Sequence, residues 1–334
     1  MPLPAPRGRL SAALLAHLVE PGSAGTAQDL LDLARAAAST ADVLRDEDVQ
    51  LSLTVLYELS YRGLAGVDDA LEWDLDLLRV RQTLEEPFER AVRELVDVPA
   101  AEPGDVAETL FRMAAEDDGP GLSRYLARRA DLEQYREFLT HRSVYHLKEA
   151  DPHTWAIPRL AGPVKAALVE VQSDEYGGGR ADRMHAALFA RTMRALGLDD
   201  TYGALVDRVP AITLASTNAM SMFGLHRRLR AAVVGHLAVF EMTSSIPNRF
   251  YGNGLRRLGF DADATWFFDE HVEADAVHEQ IAGRDLAGGL ARREPHLTGD
   301  VLFGAAACLA LDGLVAAHVL ERWEEGRSSL RDPA

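Results

Sequence analysis

The sequence predicts an all-α protein. The helix-favouring residues Ala, Leu, Arg and Glu dominate the chain. Runs of alternating β-branched residues, the usual sign of a strand, are almost absent. Apolar residues instead recur every three or four positions over long segments, which is the spacing of one helical face. The chain has 334 residues, 47% of them hydrophobic, which is enough for a large core and favours two domains over one.

Three amphipathic helices are predicted in the first third of the chain, at residues 28–38, 46–62 and 71–95. Beyond them, the string Asp-Asp-Gly-Pro-Gly at 117–121 is the clearest helix-breaking cluster. We therefore predict a domain boundary near residue 120. It separates an N-terminal helical domain, residues 1–120, from a second domain, residues 121–334.

Helical segments also fill the second domain, and most of them end at a recognisable breaker. Pro163 suits the first turn of a helix. Pro247 is expected to end the segment that carries Glu241, because proline cannot donate a helical hydrogen bond. The predicted segments are residues 123–149, 163–172, 180–196, 214–243, 263–282 and 298–325.

The charge balance excludes several classes of partner. Asp and Glu total 52 against 35 Lys and Arg, a net charge of −17. Such a surface repels phosphate backbones and anionic membranes, so we expect neither nucleic-acid nor membrane binding. Residues 7–19 resemble a short signal peptide but fit an amphipathic helix better, because His17 interrupts the apolar stretch. Residues 301–320 approach the length of a membrane span, but Asp312 and His318 interrupt them, so a buried bundle helix is predicted.

Cys308 is the single cysteine of the chain. An intramolecular disulfide is therefore impossible, and a metal cluster held by several thiolates is excluded. A reducing, cytoplasmic compartment fits this usage. We expect Cys308 itself to be a small buried hydrophobe.

The strongest functional signal is the run His271-Val-Glu-Ala-Asp275-Ala-Val-His278. At 100° per residue, its two histidines and Asp275 point within about 60° of one another on a helix. Imidazole and carboxylate groups are ligands for redox-active and Lewis-acidic metals. Glu241 closes a largely apolar segment upstream, where a carboxylate is costly to bury unless it is paired or binds a metal.

Other predicted helices supply further candidate ligands. Glu149 lies at the end of one segment, Glu175 precedes three glycines, and His185 follows ten residues later. With the four residues above, the set holds three glutamates, one aspartate and three histidines. That set suits two ions bridged by carboxylates, each with open positions for O2. Each residue alone is explained as well by a surface charge or an exposed histidine.

The order of these seven residues resembles that of the haem-oxygenase-like diiron oxidases and oxygenases, often called iron-containing redox enzymes. The strings KEADPH at 148–153, DEYGGG at 174–179 and YGNGLRRLG at 251–259 carry the same resemblance. It covers roughly residues 121–325, and the ligand spacing is most similar to the N-oxygenase branch of the family.

The resemblance implies a haem-oxygenase-like helical bundle that binds two non-haem iron ions, Fe(II) or Fe(III), preceded by an N-terminal auxiliary domain. It further implies O2 as co-substrate, a small-molecule substrate and an external electron donor. The N-terminal region resembles the auxiliary, often dimerising, segment of some members, so we expect a homodimer.

Several assignments remain open at the level of sequence. Asp182 lies three residues before His185, so helical geometry favours it as a ligand, whereas the family pattern favours Glu175. We choose Glu175 as the ligand. Asp182 is then either a hydrogen-bond partner of a ligand or a surface charge.

Asp312 is a second candidate for a side chain that hydrogen-bonds a ligand imidazole. A buried Asp bonded to the backbone or to a Tyr explains it equally well. The small-residue stripe of Ala231, Gly235 and Ala238 fits either room for substrate or close helix packing.

Three functions follow from this reading. The leading hypothesis is O2-dependent N-oxygenation of a small amine, amino acid or guanidine in specialised metabolism. The alternative is C–H abstraction from a fatty or amino acid, giving desaturation, oxidative decarboxylation or C–C cleavage. A non-catalytic helical binding or scaffold protein is the third.

A haem oxygenase is disfavoured, because haem needs one axial histidine rather than seven ligands. A ferritin-like site would need Glu-x-x-His pairs on two helices, whereas this chain has Asp at both such positions, Asp182 and Asp275.

Overall fold

The computed structural model describes residues 1–20 and 25–332, and for residues 273–276 it describes only the backbone. Every regular element within these residues is helical, and no strand occurs among them. The predicted all-α class is confirmed. The α-helices are α1 (Arg9–Val19), α2 (Ala27–Ala37), α3 (Glu47–Glu58), α4 (Leu75–Leu95), α5 (Val106–Glu116), α6 (Leu122–Arg128), α7 (Leu132–His146), α8 (Asp151–Thr154), α9 (Gly162–Glu175), α10 (His185–Ala195), α11 (Ala211–Leu225), α12 (Arg230–Arg257), α13 (Ala262–Gln280), α14 (Gly288–Arg293) and α15 (Thr298–Glu324).

Capping residues explain where several helices begin. Asp131 accepts a hydrogen bond from the backbone N–H of Gln134, whose side chain accepts one from the backbone N–H of Asp131. This reciprocal cap starts a new helix at Leu132, so the predicted single helix at 123–149 is wrong and divides into α6 and α7.

Helix α12 runs through the centre of the bundle and packs against α13 and α15. The predicted helix at 214–243 is wrong in its continuity and in its C-terminal end. A break at residues 226–229 separates α11 from α12, and α12 continues through Pro247 to Arg257. A proline within a helix loses one backbone hydrogen bond. The packing of α12 against two long neighbours outweighs that local loss.

Two glycines allow α12 and α15 to approach closely. A Cβ on Gly235 would lie 1.8 Å from the carbonyl oxygen of Val301, and one on Gly304 would lie 1.9 Å from that of Ala232. Close helix packing therefore explains the small-residue stripe that includes Gly235.

The N-terminal helices share their core with the rest of the chain. One cluster of buried apolar side chains extends from Leu10 in α1 to Val315 in α15. A second cluster joins α7, α10 and α13 around Tyr135, Phe189 and Phe267. The predicted boundary near residue 120 falls between α5 and α6, and it remains a prediction.

Both apolar segments noted in the sequence lie against the core. Helix α1 buries Leu10, Leu14 and Leu18, as an amphipathic helix does. In the described part of the chain, the stretch Pro295–Glu324 is long and apolar enough to cross a membrane, but half of its most apolar window is buried inside the fold. A core helix of a large bundle has the same properties. Cys308 on this helix is buried.

Candidate metal centre

Six of the predicted ligand residues converge in the interior of the bundle. Glu149 lies in the turn between α7 and α8, and Glu175 ends α9. His185 begins α10, Glu241 lies in α12, and α13 carries two histidines. All six side chains are buried. They are Glu149, Glu175, His185, Glu241, His271 and His278.

These side chains form two groups that share one residue. In the first group, one oxygen or ring nitrogen from each of Glu149, Glu175, His185 and His271 lies within 4.8 Å of the others. The second group brings Glu175, Glu241 and His278 together at the same spacing. Glu175 therefore faces both groups, as a carboxylate bridging two metal ions would.

The oxygens of Glu175 approach a different histidine on each side. Its Oε2 lies 2.9 Å from Nδ1 of His185, and its Oε1 lies 3.9 Å from Nδ1 of His278. On the far side of the second group, Glu241 Oε2 lies 3.4 Å from the same nitrogen of His278. Neither histidine Nδ1 has a hydrogen-bond partner of good geometry.

Backbone contacts fix the orientation of His271. Its Nδ1 donates to the carbonyl oxygen of Phe267, one helical turn earlier, at 2.7 Å. That bond places the proton on Nδ1 and leaves the lone pair on Nε2, which lies 3.6 Å from Glu149 Oε1. A histidine held in this way presents a nitrogen suited to a metal.

His278 is oriented by Asp174, which the sequence analysis did not select. The distance from His278 Nε2 to Asp174 Oδ2 is 3.1 Å. Burial lowers the pKa of His278, but Glu241 and Asp174 more than compensate and raise it to about 9. A carboxylate that orients a histidine is a common partner of metal-binding imidazoles. The sequence signal that could have identified Asp174 is its position directly before Glu175.

Glu149 has its own histidine partner. His146 Nδ1 lies 2.7 Å from Glu149 Oε1. Burial alone would raise the pKa of Glu149, but His146 and His271 hold it well below its usual range. The second oxygen of Glu149 is buried without a hydrogen-bond partner. The carboxylate of Glu149 is therefore ionised in this site.

The chemistry of this donor set fits iron. Buried polar atoms are nearly always hydrogen-bonded, and orphaned ones call for an explanation. Three of the orphaned buried atoms in the described part of the chain belong to these two groups: Glu149 Oε2, His185 Nδ1 and His278 Nδ1. Mixed imidazole and carboxylate ligation suits iron, and the shared carboxylate suits a pair of ions.

A family model described as "iron-containing redox enzyme" matches residues 136–313, which are 178 of the 334 residues. The chain belongs to this family. The predicted resemblance to this family is confirmed.

A curated protein similar to this chain is nitrosourea synthase of Streptomyces achromogenes subsp. streptozoticus. The two are 29% identical over 136 residues, which make up 41% of this chain. The chain spans only 29% of the length of that relative.

The remaining sequence candidates lie apart from the two groups or outside the described side chains. Asp275 lies on the α13 backbone, but its side chain is outside the described residues. Asp182 is exposed and lies 3.3 Å from Arg180, so it is a surface charge. Asp312 Oδ1 lies 3.4 Å from Arg142 Nη1, so it pairs with an arginine.

A cavity of about 470 Å³ adjoins the first group. Glu149 and His271 form part of its wall, together with His146, and the segment 117–124 borders it. The pair Arg142 and Asp312 also lies in its wall. The volume is within the range of small-molecule sites.

Arg142 is a further residue that sequence reasoning missed. It lies one helical turn before His146, so both side chains project from the same face of α7. Its pKa is raised, because Asp312 and Tyr251 outweigh the effect of burial. The spacing Arg142-x3-His146-x2-Glu149 was the available signal, but many surface helices carry similar spacings.

Proposed function

We propose that this protein is an O2-dependent diiron enzyme that N-oxygenates a small cationic amine, amino acid or guanidine. The observation that carries the proposal is the position of Glu175 between two buried groups of imidazole and carboxylate ligands. A single mononuclear site would not require the second group of Glu241 and His278.

The six residues Glu149, Glu175, His185, Glu241, His271 and His278 would hold the ions. A bound pair of ferrous ions supplies the two-electron reduction and activation of O2. Conversion of an amine to a hydroxylamine consumes O2, two electrons and two protons and yields one water. Because the amine supplies none of these electrons, an external reductant is part of the proposal.

The charge of the cavity favours an amine over a fatty acid. Apart from the candidate ligand Glu149, its lining carries three carboxylates, Asp117, Asp118 and Asp312, against two guanidinium groups, Arg124 and Arg142. Burial raises the pKa of Asp117, and the charges of Asp118 and Asp312 add to the rise. A cationic ligand would relieve this repulsion, whereas a carboxylate would add to it.

The relative named nitrosourea synthase is consistent with chemistry at nitrogen. Because it is matched over a minor part of its length, its activity supports the reaction class and leaves the substrate open. The homodimer, the electron donor and the cytoplasmic location remain predictions.

The test loads the protein with Fe(II) without oxygen, counts the bound ions, and then mixes it with O2 in a stopped-flow instrument. The mixing is repeated with a panel of amines, guanidines and amino acids, and with fatty acids. We expect two ions per chain and a visible transient that an amine removes faster, with a hydroxylamine product by mass spectrometry.

Faster removal by a fatty acid, with loss of hydrogen or CO2, would replace N-oxygenation by C–H chemistry. Absence of both iron binding and a transient would contradict the enzyme proposal and favour a binding protein.

A further inference from the structure

The turn that carries Glu149 has an unfavourable backbone. Ala150, the next residue, has a φ of +73°, the one positive φ of a non-glycine residue in the described part of the chain. L-residues with a side chain avoid this region because of steric clashes. Such a conformation persists only where surrounding contacts enforce it.

On one side of Glu149, helix α3 holds the chain through a buried ion pair. Lys148 Nζ lies 3.4 Å from Glu58 Oε2 at the end of α3, and both side chains are at most 5% exposed. Tyr202 donates to both oxygens of Glu58, at 2.7 and 2.8 Å. The ammonium also lies 4.2 Å from the ring centre of Tyr61. These contacts hold the ammonium group of Lys148 in place.

On the other side of Glu149, Asp151 is contacted by Arg62, which lies just beyond the end of α3. Arg62 Nη2 lies 3.7 Å from Asp151 Oδ2. The other oxygen of Asp151 accepts a hydrogen bond of 2.8 Å from the hydroxyl of Tyr176. That hydroxyl also lies 2.9 Å from Thr154 Oγ1.

Tyr176 directly follows Glu175, the carboxylate shared by the two groups. The backbone N–H of Arg62 donates to Glu58 Oε1 at 3.4 Å, which joins the two sets of contacts. Polar contacts therefore run from the end of α3 to the residues beside both Glu149 and Glu175. The members of this chain are Glu58, Arg62, Lys148, Asp151 and Tyr176.

We propose that the end of α3 is a positioning element for the metal centre, which holds Glu149 through Lys148 and Asp151, and Glu175 through Tyr176. This inference rests on the proposed function, because it assumes that these carboxylates bind metal. It gives the N-terminal domain a role within its own chain, independent of dimer formation.

The test measures Co(II) binding to the full-length protein, because the visible spectrum of Co(II) reports coordination geometry. The variants are Glu58→Gln and Tyr176→Phe. The first leaves Lys148 buried without its partner and risks misfolding. The second removes one hydroxyl from a partly exposed ring and keeps the test valid if the first variant does not fold.

Matched controls separate positioning from general stability. Glu85→Gln breaks the pair between the buried Glu85 and the partly exposed His226, with 2.8 Å between Oε2 and Nε2, and neither residue belongs to the two groups. Tyr125→Phe removes a hydroxyl that bonds to Gln134 near the start of α7. Thermal unfolding of the metal-free proteins shows how far each variant is destabilised.

We expect Glu58→Gln and Tyr176→Phe to weaken Co(II) binding by about 10- to 100-fold and to change the shape of the Co(II) spectrum. Both controls should keep the wild-type affinity and spectrum. If all four variants bind Co(II) like the wild type, or if the controls lose as much affinity, the positioning role is wrong while the metal centre stands. A wild-type protein that binds no Co(II) overturns both the metal centre and this inference.

Discussion

At the scale of single residues, Glu175 has the most consequential position in the molecule. Its two oxygens approach His185 on one side and His278 on the other. A carboxylate shared in this way would supply negative charge and an oxygen ligand to both groups at once. Each of the other five candidate ligands belongs to only one group.

Replacing Glu175 by Gln should therefore remove more iron than replacing Glu241 by Gln. An amide offers one weak neutral oxygen, so Glu175→Gln should lose most of both ions. Glu241→Gln should keep the ion of the first group. Anaerobic Fe(II) titration, with iron measured by mass spectrometry, gives the number of ions per chain.

Asp182→Asn is the control, because this exposed carboxylate pairs with Arg180 at the surface. It should bind as much iron as the wild type. The assignment of Glu175 would be wrong if Asp182→Asn lost iron and Glu175→Gln retained it.

Asp312 allows a second prediction at this scale. Its carboxylate balances Arg142 in the cavity wall, at 3.4 Å. Asp312→Asn leaves the guanidinium uncompensated, so a cationic substrate loses attraction and gains repulsion. Because a hydrogen bond to a charged group contributes about 1.5–3 kcal/mol, we expect KM for an amine substrate to rise about 10-fold or more.

Steady-state kinetics should show a smaller change in kcat, since Asp312 lies outside both ligand groups. Asp300→Asn is the matched control, because this residue of α15 contacts Arg93 and does not line the cavity. An unchanged KM in Asp312→Asn would contradict a cationic substrate.

The sequence predicted that His271 and His278 share one face of α13, because the helical repeat places them there, and the structure brings both into the buried groups. Helical spacing alone favoured Asp182 over Glu175, and the structure shows why that argument does not apply. Residues 181–183 form a short 3-10 turn before α10, so the phase of the helix does not extend back to Asp182. Asp174 and Arg142 became visible only when separate helices were brought together.

At the scale of helices, the close contact between α12 and α15 is important for the stability of the bundle. The Cα of Gly235 packs against the backbone of Val301, with no space for a side chain. Gly235→Ala should force the two helices apart and destabilise the protein by several kcal/mol, because backbone atoms cannot move aside as a side chain can.

Gly313→Ala on α15 is the matched control, since a Cβ there meets nothing within 4 Å. It should stabilise the helix by about 0.5–1 kcal/mol, because Ala loses less backbone entropy than Gly. Chemical denaturation of both variants measures the difference. Similar stabilities for Gly235→Ala and the wild type would show that the helices separate at little cost.

The ends of the helices were less predictable than their existence. Most predicted segments correspond to observed helices, because their apolar periodicity is long and regular. Pro247 was expected to end a helix on local grounds, yet α12 continues for ten further residues to Arg257. The contacts that decide this come from α13 and α15, which are distant in sequence, so local chemistry could not show them.

At the scale of the whole molecule, composition and periodicity were sufficient for the all-α class, and the resemblance supplied the family. The packing of the N-terminal helices into a core shared with the rest of the chain was not foreseen. A shared core depends on which apolar faces meet, and one sequence does not specify those pairings. The buried polar contacts across the core also depend on the tertiary structure, so the sequence alone does not specify them.

His141 is one such link, and it makes the fold sensitive to acid. Its Nδ1 lies 2.8 Å from Thr213 Oγ1 on α11, and its Nε2 lies 3.0 Å from Ser329 Oγ in the segment after α15. Burial, and to a smaller extent the charge of His318, lowers the pKa of His141 to about 3. The ring therefore stays neutral in the folded protein at ordinary pH.

In the unfolded chain, the pKa of a histidine is about 6.5. Between that pH and about 3, the unfolded chain binds one more proton at His141 than the folded protein does. Stability is therefore present above pH 6.5 and is lost as the pH falls, by about 1.4 kcal/mol per pH unit from this group. Denaturation of metal-free protein between pH 7 and pH 5 should show a flatter decline for His141→Gln than for the wild type. The control is His296→Gln at an exposed position, which should keep the wild-type slope of stability against pH. Parallel curves for His141→Gln and the wild type would show that His141 does not contribute to the acid sensitivity.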